Sequence, residues 1–177
     1  MLTAPPERVL KLGTSGSGVP SIVYLTGHGN IALTVSGEWL RPSLSGLDDG
    51  RDYDTAVAFH PREPLVYVGN EDGRIRVWEN AGGRWRPRPE LGWHAHRGAV
   101  TALAVGSDGA LIATSGDDTL KLVTALPEPG IPGRRERLAF PLYHPANWMH
   151  IARDKSGRDT ALLHSSPWRS VEVWPAR

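Results

Sequence analysis

Residues 27–44, GHGNIALTVSGEWLRPSL, lie without a gap over residues 106–123, GSDGALIATSGDDTLKLV. Ser36, Gly37 and Glu38 fall on Ser115, Gly116 and Asp117, and apolar positions match on both sides. Residues 55–78, TAVAFHPREPLVYVGNEDGRIRVW, and residues 148–174, WMHIARDKSGRDTALLHSSPWRSVEVW, follow the same order of apolar strand, polar turn, apolar strand, second turn and alternating strand. The position of the second turn falls at Glu38, Asp72, Asp117 and, in the last copy, Trp168, giving steps of 34, 45 and 51 residues. A period of this length means one supersecondary unit copied along the chain, and such units are stable only when they stack.

The strands fix how they stack. VTALAV (100–105) with LIATS (111–115), and AVAF (56–59) with LVYVG (65–69), are apolar on both faces, as strands sandwiched between neighbouring sheets must be. The third strand of each copy, as in RIRVW or SVEVW, alternates and is expected nearer the outside. Twenty Gly and fifteen Pro against two Phe and two Met disfavour a helical bundle, because breakers arrive too often for long helices. The fold class expected is therefore all-β, with four small antiparallel sheets filling one domain over 1–177.

With these residues on the page, the chain resembles the WD40-repeat family of β-propellers, whose blades have four strands and about 40–45 residues. The third copy is nearest. His96-Arg97-Gly98-Ala99-Val100 is similar to the family's Gly-His opening, with Ala95 in place of Gly, and Asp117-Asp118-Thr119-Leu120-Lys121-Leu122-Val123 resembles its Asp-x-Thr-Val-Lys-Leu-Trp close. The resemblance implies a buried polar tetrad of His, Ser or Thr, Asp and Trp, which here falls on His96, Ser115 and Asp117, with Val123 replacing the Trp. The second copy keeps Asp72 and Trp78, the fourth keeps His144 and Trp174, and the first has only Ser36 and Glu38.

Approximate blades run over 18–50, 51–92, 96–140 and 144–177. The first has little chain left for an outer strand. WD40 rings close by borrowing an N-terminal strand, and Arg8-Val9-Leu10-Lys11-Leu12 is the segment expected to complete the last blade. Because the family usually builds seven or eight blades, three arrangements stay open: a small four-bladed ring, a homodimer forming an eight-bladed ring, or part of a larger propeller.

The resemblance implies a non-catalytic platform for protein–protein interaction. The residues expected to contact a protein or peptide are Tyr53, Arg97, Trp148, Trp168 and Arg169 on the side of the openings and second turns, with Trp148 also aligning with an apolar core position, Val100. One alternative is a purely structural piece that completes a larger propeller; another is an enzyme, since some propellers are hydrolases or lactonases, which would draw on His28, His94 or His144 around a central channel. No Gly-x-Ser-x-Gly, His-Glu-x-x-His or Ser-x-x-Lys motif recommends it.

The remaining motifs have simpler readings. Gly13–Gly18 lacks the Gly-Lys-Ser/Thr ending of a phosphate loop and reads as a turn. His94-Ala95-His96 has metal-ligand spacing but no third ligand nearby, so a buried structural His96 beside an exposed His94 is expected. Asp48–Asp54 crowds carboxylates without the order of a calcium loop and reads as a solvated turn. Arg84-Trp85-Arg86-Pro87-Arg88 reads as an outer strand guarded by charge. A net charge of +1 supplies no field for nucleic acid, and no apolar run approaches the eighteen residues of a membrane span. No cofactor or metal is expected. The absence of cysteine excludes disulfides and thiolate chemistry. A cytoplasmic protein of bacterial origin is the expectation for a chain of this composition.

Overall fold

Short apolar runs punctuated by Gly, Asp and Pro fold here into antiparallel hairpins, and four such groups make four sheets. The computed structural model describes residues 8–14, 20–25, 31–35, 38–40, 54–82, 84–126, 136–142, 146–153, 155, 157, 159–165 and 170–175. The first sheet runs in order through β1 (Arg8–Thr14), β2 (Pro20–Leu25), β3 (Ile31–Val35) and β4 (Glu38–Leu40). The second comprises β5 (Asp54–Phe59), β6 (Leu65–Asn70), β7 (Arg74–Ala81) and β8 (Arg84–Pro87), with β9 (Trp93–His94) also paired to β7. The third is β10 (Ala102–Val105), β11 (Leu111–Gly116), β12 (Thr119–Thr124) and β13 (Glu136–Pro141). The fourth is β14 (Trp148–Arg153), β15 (Asp159–Ser165) and β16 (Ser170–Pro175). Among the described residues no helix is long and apolar enough to cross a membrane.

The sheets stack through their innermost strands: β1 lies against β5, β5 against β10, and β10 against β14. Strand periodicity decides which side chains meet. On the second sheet Ala58, Tyr67, Ile75 and Val77 face the third sheet and pack with its Val100, Leu103, Ile112 and Val123. The alternate residues Val57, Phe59, Val66, Val68 and Trp78, with Trp85, form a separate cluster on the other face. The third sheet turns Ala102, Ala113, Leu120 and Leu122 towards Met149 and Ile151 of the fourth. Every residue of β6 is buried, which explains why it reads as a continuous apolar run. Each large apolar side chain so buried contributes about 1.5–3 kcal/mol.

Polar ties fix how adjacent sheets sit. Tyr67 Oη donates to the Ala125 carbonyl across the interface at 2.9 Å. At the opposite end from the site described below, His60 Nδ1 accepts from the amides of Arg62 (3.2 Å) and Glu63 (2.8 Å). Its proton is therefore on Nε2, which donates to the Gly109 carbonyl of the third sheet at 3.0 Å. Gly109 has φ +75°, and a Cβ there would run into the His60 ring, so only glycine suits this turn.

The N-terminal strand departs from expectation. Arg8–Thr14 does not complete the fourth sheet; it pairs with Pro20–Leu25 and takes the inner place of the first sheet, beside β5. That addition gives the first sheet four strands, and the fourth sheet has three among the described residues. The physical reason is local: the two strands are joined by a short connection, so pairing them costs less loop entropy than reaching the far end of the chain. Tyr67→Phe is expected to lower unfolding free energy by about 1 kcal/mol, with near-ultraviolet circular dichroism unchanged, as read from the urea midpoint.

Candidate functional site

Three pieces of chain meet at one end of the stack: the β6–β7 turn at residues 71–73, the segment 94–99 that leads into the third sheet, and the β11–β12 turn at Asp117-Asp118. The first is an Asx turn, in which Asp72 Oδ1 accepts from the Arg74 amide at 2.9 Å, followed by Gly73 at φ +81°. The carbonyl of Gly73 accepts from the amides of Ala95 (2.9 Å) and His96 (3.2 Å), and the carbonyl of His96 lies where a Cβ on residue 73 would stand. His94 Nε2 donates to the Asp72 carbonyl at 3.0 Å. The second sheet's acidic turn thus holds the leader of the third sheet.

The Asp117-Asp118 turn is tighter still. It joins two hydrogen-bonded strands with only two residues, both at positive φ (50° and 53°), the backbone that a type I′ hairpin needs and that Asn-Gly supplies most cheaply. The non-glycine residues here cost about 1 kcal/mol each, less than for other side chains because Asp tolerates the left-handed region. Asp117 Oδ2 accepts from the Arg97 amide, so the carboxylate pins the backbone of an exposed arginine. Lys121 Nζ donates to the Ala95 carbonyl at 2.8 Å. Together His94, Ala95, Arg97, Asp117 and Lys121 line a polar recess of about 400 Å³.

His96 is buried, 3% exposed, and shares a 2.8 Å hydrogen bond between Nε2 and Thr114 Oγ1. Its Nδ1 has no hydrogen-bond partner among the described residues. Burial first, and the positive charge of Lys121 second, pull its pKa down to about 4, against a smaller opposing effect of Asp117. It is a neutral structural imidazole at neutral pH, beside an exposed His94.

The polar tetrad differs from expectation in its partners. His96 bonds Thr114 and not Ser115, because adjacent strand residues point to opposite faces and the 94–99 segment lies on the side of the second sheet. Ser115 Oγ instead accepts from the Ala146 amide at 3.0 Å, tying the third sheet to the start of the fourth. Asp117 serves Arg97, and Asp72 sits in its own turn with a 3.3 Å ion pair to Arg74. Trp78 is buried in the apolar cluster of the second sheet. Trp148 is not core: it is 50% exposed at the head of β14, with its ring stacked on His150 at 6.1 Å. Trp174 lies in β16, paired with Ala161. Tyr53, His144, Trp168, Arg169 and His28 lie outside the described residues. Asp48–Tyr53 of the carboxylate loop do so too, while Asp54 opens β5 as a buried residue.

Sequence reasoning missed Lys121 and Asp118. Lys121 reads as an outward position of an alternating strand, and its hold on Ala95 depends on where the 94–99 segment passes. Among the described residues no three His, Cys, Asp or Glu side chains converge as metal ligands.

Stacked antiparallel sheets, a glycine-bearing acidic turn and a buried histidine before the next sheet define a repeat. Residues 55–79 and 88–123 match the profile of the WD domain, G-beta repeat, covering β5 to β7 in one case and β9 to β12 in the other. These two matches support a WD40-repeat family for the chain. Domains of that family typically act as non-catalytic scaffolds that mediate protein–protein interaction.

Two outcomes are expected. The folded pKa of His96 lies below its ordinary value of 6.5, so the unfolded chain takes up the proton first as pH falls. His96 therefore costs no stability above pH 6.5 and up to about 3 kcal/mol as pH falls towards 4. In denaturant titrations at several pH values, His96→Asn is expected to flatten this slope relative to the wild type. Asp118→Gly, which relieves the left-handed backbone, is expected to raise stability by up to about 1 kcal/mol.

Proposed function

We propose that this chain is a non-catalytic WD40 scaffold that holds a protein or peptide partner at the end of the stack carrying the 71–73 and 117–118 turns, as a module of a larger cytoplasmic assembly. The observation that carries this reading is the fixation of Arg97. Its side chain is exposed while its amide is held by Asp117, itself in a strained two-residue turn, so the cation is displayed from a rigid backbone. Arginine anchors on rigid frames dominate binding energy at protein interfaces, and ordering costs little when the backbone is already fixed. Lys121 in the same recess favours an acidic segment on the partner. Affinity capture from the native cell tests this. Proteins retained by the wild type and lost with Arg97→Glu, at an unchanged melting temperature, support the reading; equal retention by both, or a substrate turned over at the recess, contradicts it.

A second observation bears on assembly. Met149 and Ile151 are buried against the third sheet, while Trp148 and His150 on the opposite face of β14 are exposed, with Leu162 and His164 as their cross-strand neighbours. The corresponding faces of the second and third sheets are covered by another sheet. We propose that a second copy of the chain covers this one, which assigns Trp148 to assembly and leaves Arg97 to the partner. Trp148→Asp is expected to shift the chain from dimer to monomer in light scattering behind a sizing column. A wild type that stays monomeric at all concentrations contradicts the shared arrangement.

A further inference from the structure

The outer edge of the second sheet carries a cleft unrelated to the turns above. β8 and β9 both pair with β7, so they are two halves of one outer strand, interrupted between them by a 3-10 turn over Pro89–Leu91 and by Gly92. Pro87 still lies in register with Trp78 and the Arg88 amide donates to the Val77 carbonyl at 2.8 Å; Pro89 cannot donate, and the chain arches away from there before returning at Trp93. The arch is pinned: Arg88 donates through Nη1 to Glu79 on β7 and through Nε to Glu90 in the turn. The Glu90 carboxyl is held below its usual range by that hydrogen bond.

Beneath the arch lies a cleft of about 640 Å³, within the roughly 300–1,000 Å³ typical of ligand sites. It is bordered by Ile75 and Val77 at the edge of β7, both almost fully buried, by Pro87 and Pro89 from the arch, and by Trp93; Trp78 borders it too, with its ring in the cluster on the opposite face of the sheet. Trp93 is only half-buried and packs edge-on against Tyr67 at 6.3 Å, which fixes its ring. Arg74, Arg76 and His94 also line the cleft, and among the described residues no acidic side chain does. Arg74 touches Asp72 at 3.3 Å through Nε, yet its side chain remains 65% exposed. Aromatic walls with cations and no carboxylate complement a ligand that is apolar at one point and anionic beside it.

We propose that this cleft is a second binding site, taking an aromatic or branched aliphatic side chain of a partner peptide whose neighbouring carboxylates meet Arg74 and Arg76. A peptide fits better than a nucleic acid because two guanidinium groups beside the Trp93 ring and two prolines do not make a phosphate track, and the chain has a net charge of only +1. The site does not depend on the Arg97 recess, and either can fail without the other.

The test follows the indole N–H signal of Trp93 in nitrogen–proton spectra, assigned with Trp93→Phe, during titration with acetyl-Leu-Phe-Asp-Asp-amide. Parallel titrations use acetyl-Leu-Phe-Lys-Lys-amide and a thymidine decanucleotide. A saturable shift of the Trp93 indole with the acidic peptide is expected, weakened about fivefold or more by Arg74→Glu or Arg76→Glu and unchanged by Arg97→Glu, with every variant melting as the wild type. No saturable shift, equal binding of the basic peptide, binding of the oligonucleotide in preference, or indifference to both charge reversals would overturn the proposal.

Discussion

The structure depends on a sheet having two apolar faces and therefore needing two neighbours. A half-buried sheet alternates and can stand against water; β6, buried at every residue, cannot. Tyr67 and Val77 on one side and Val66 and Trp78 on the other commit the second sheet to packing in both directions. The third sheet is committed in the same way by Ile112 and Leu122. No sheet in such a stack is a core by itself, so stability belongs to the interfaces.

That constraint also builds the end that carries the 71–73 and 117–118 turns. Because adjacent sheets are held face to face, their turns are held side by side, and polar groups convert proximity into fixed geometry. Gly73 receives the amides of Ala95 and His96, Asp117 receives that of Arg97, and Ser115 receives that of Ala146. Each sheet thereby anchors the segment that opens its successor or its own leader. Variation on the surface of these segments changes what is displayed without changing the frame, which suits a scaffold. The arch of the outer strand is a departure of the same kind: β7 supplies the floor, and a proline-bearing interruption opens space above it.

Much of this was legible in the sequence. The repeat, the doubly apolar strands and the Asp-Gly turn at residues 72–73 each have a local signature, and they lead to the fold and to the segment that exposes Arg97. Three features were not legible, for different reasons. Arg8–Leu12 alternates like any edge strand, and alternation says that a strand pairs without saying with which sheet. The choice of Thr114 over Ser115 rests on one residue of register, which reverses the face a side chain occupies. The cleft was concealed because Arg84–Arg88 reads as a plain charged outer strand. Its signal was present in Pro87, Pro89 and Gly92, which a regular strand paired along its whole length would not carry.

The central claim is that the second and third sheets stand or fall together, and native-state hydrogen exchange at increasing low urea tests it most directly. The amides of β6 and β11 lie in different sheets and share no hydrogen bond with each other. If their stability resides in the common interface, the slowest amides of both strands will exchange with one opening free energy and one urea dependence. Two distinct opening free energies, with one sheet exchanging while the other stays protected, would contradict the account.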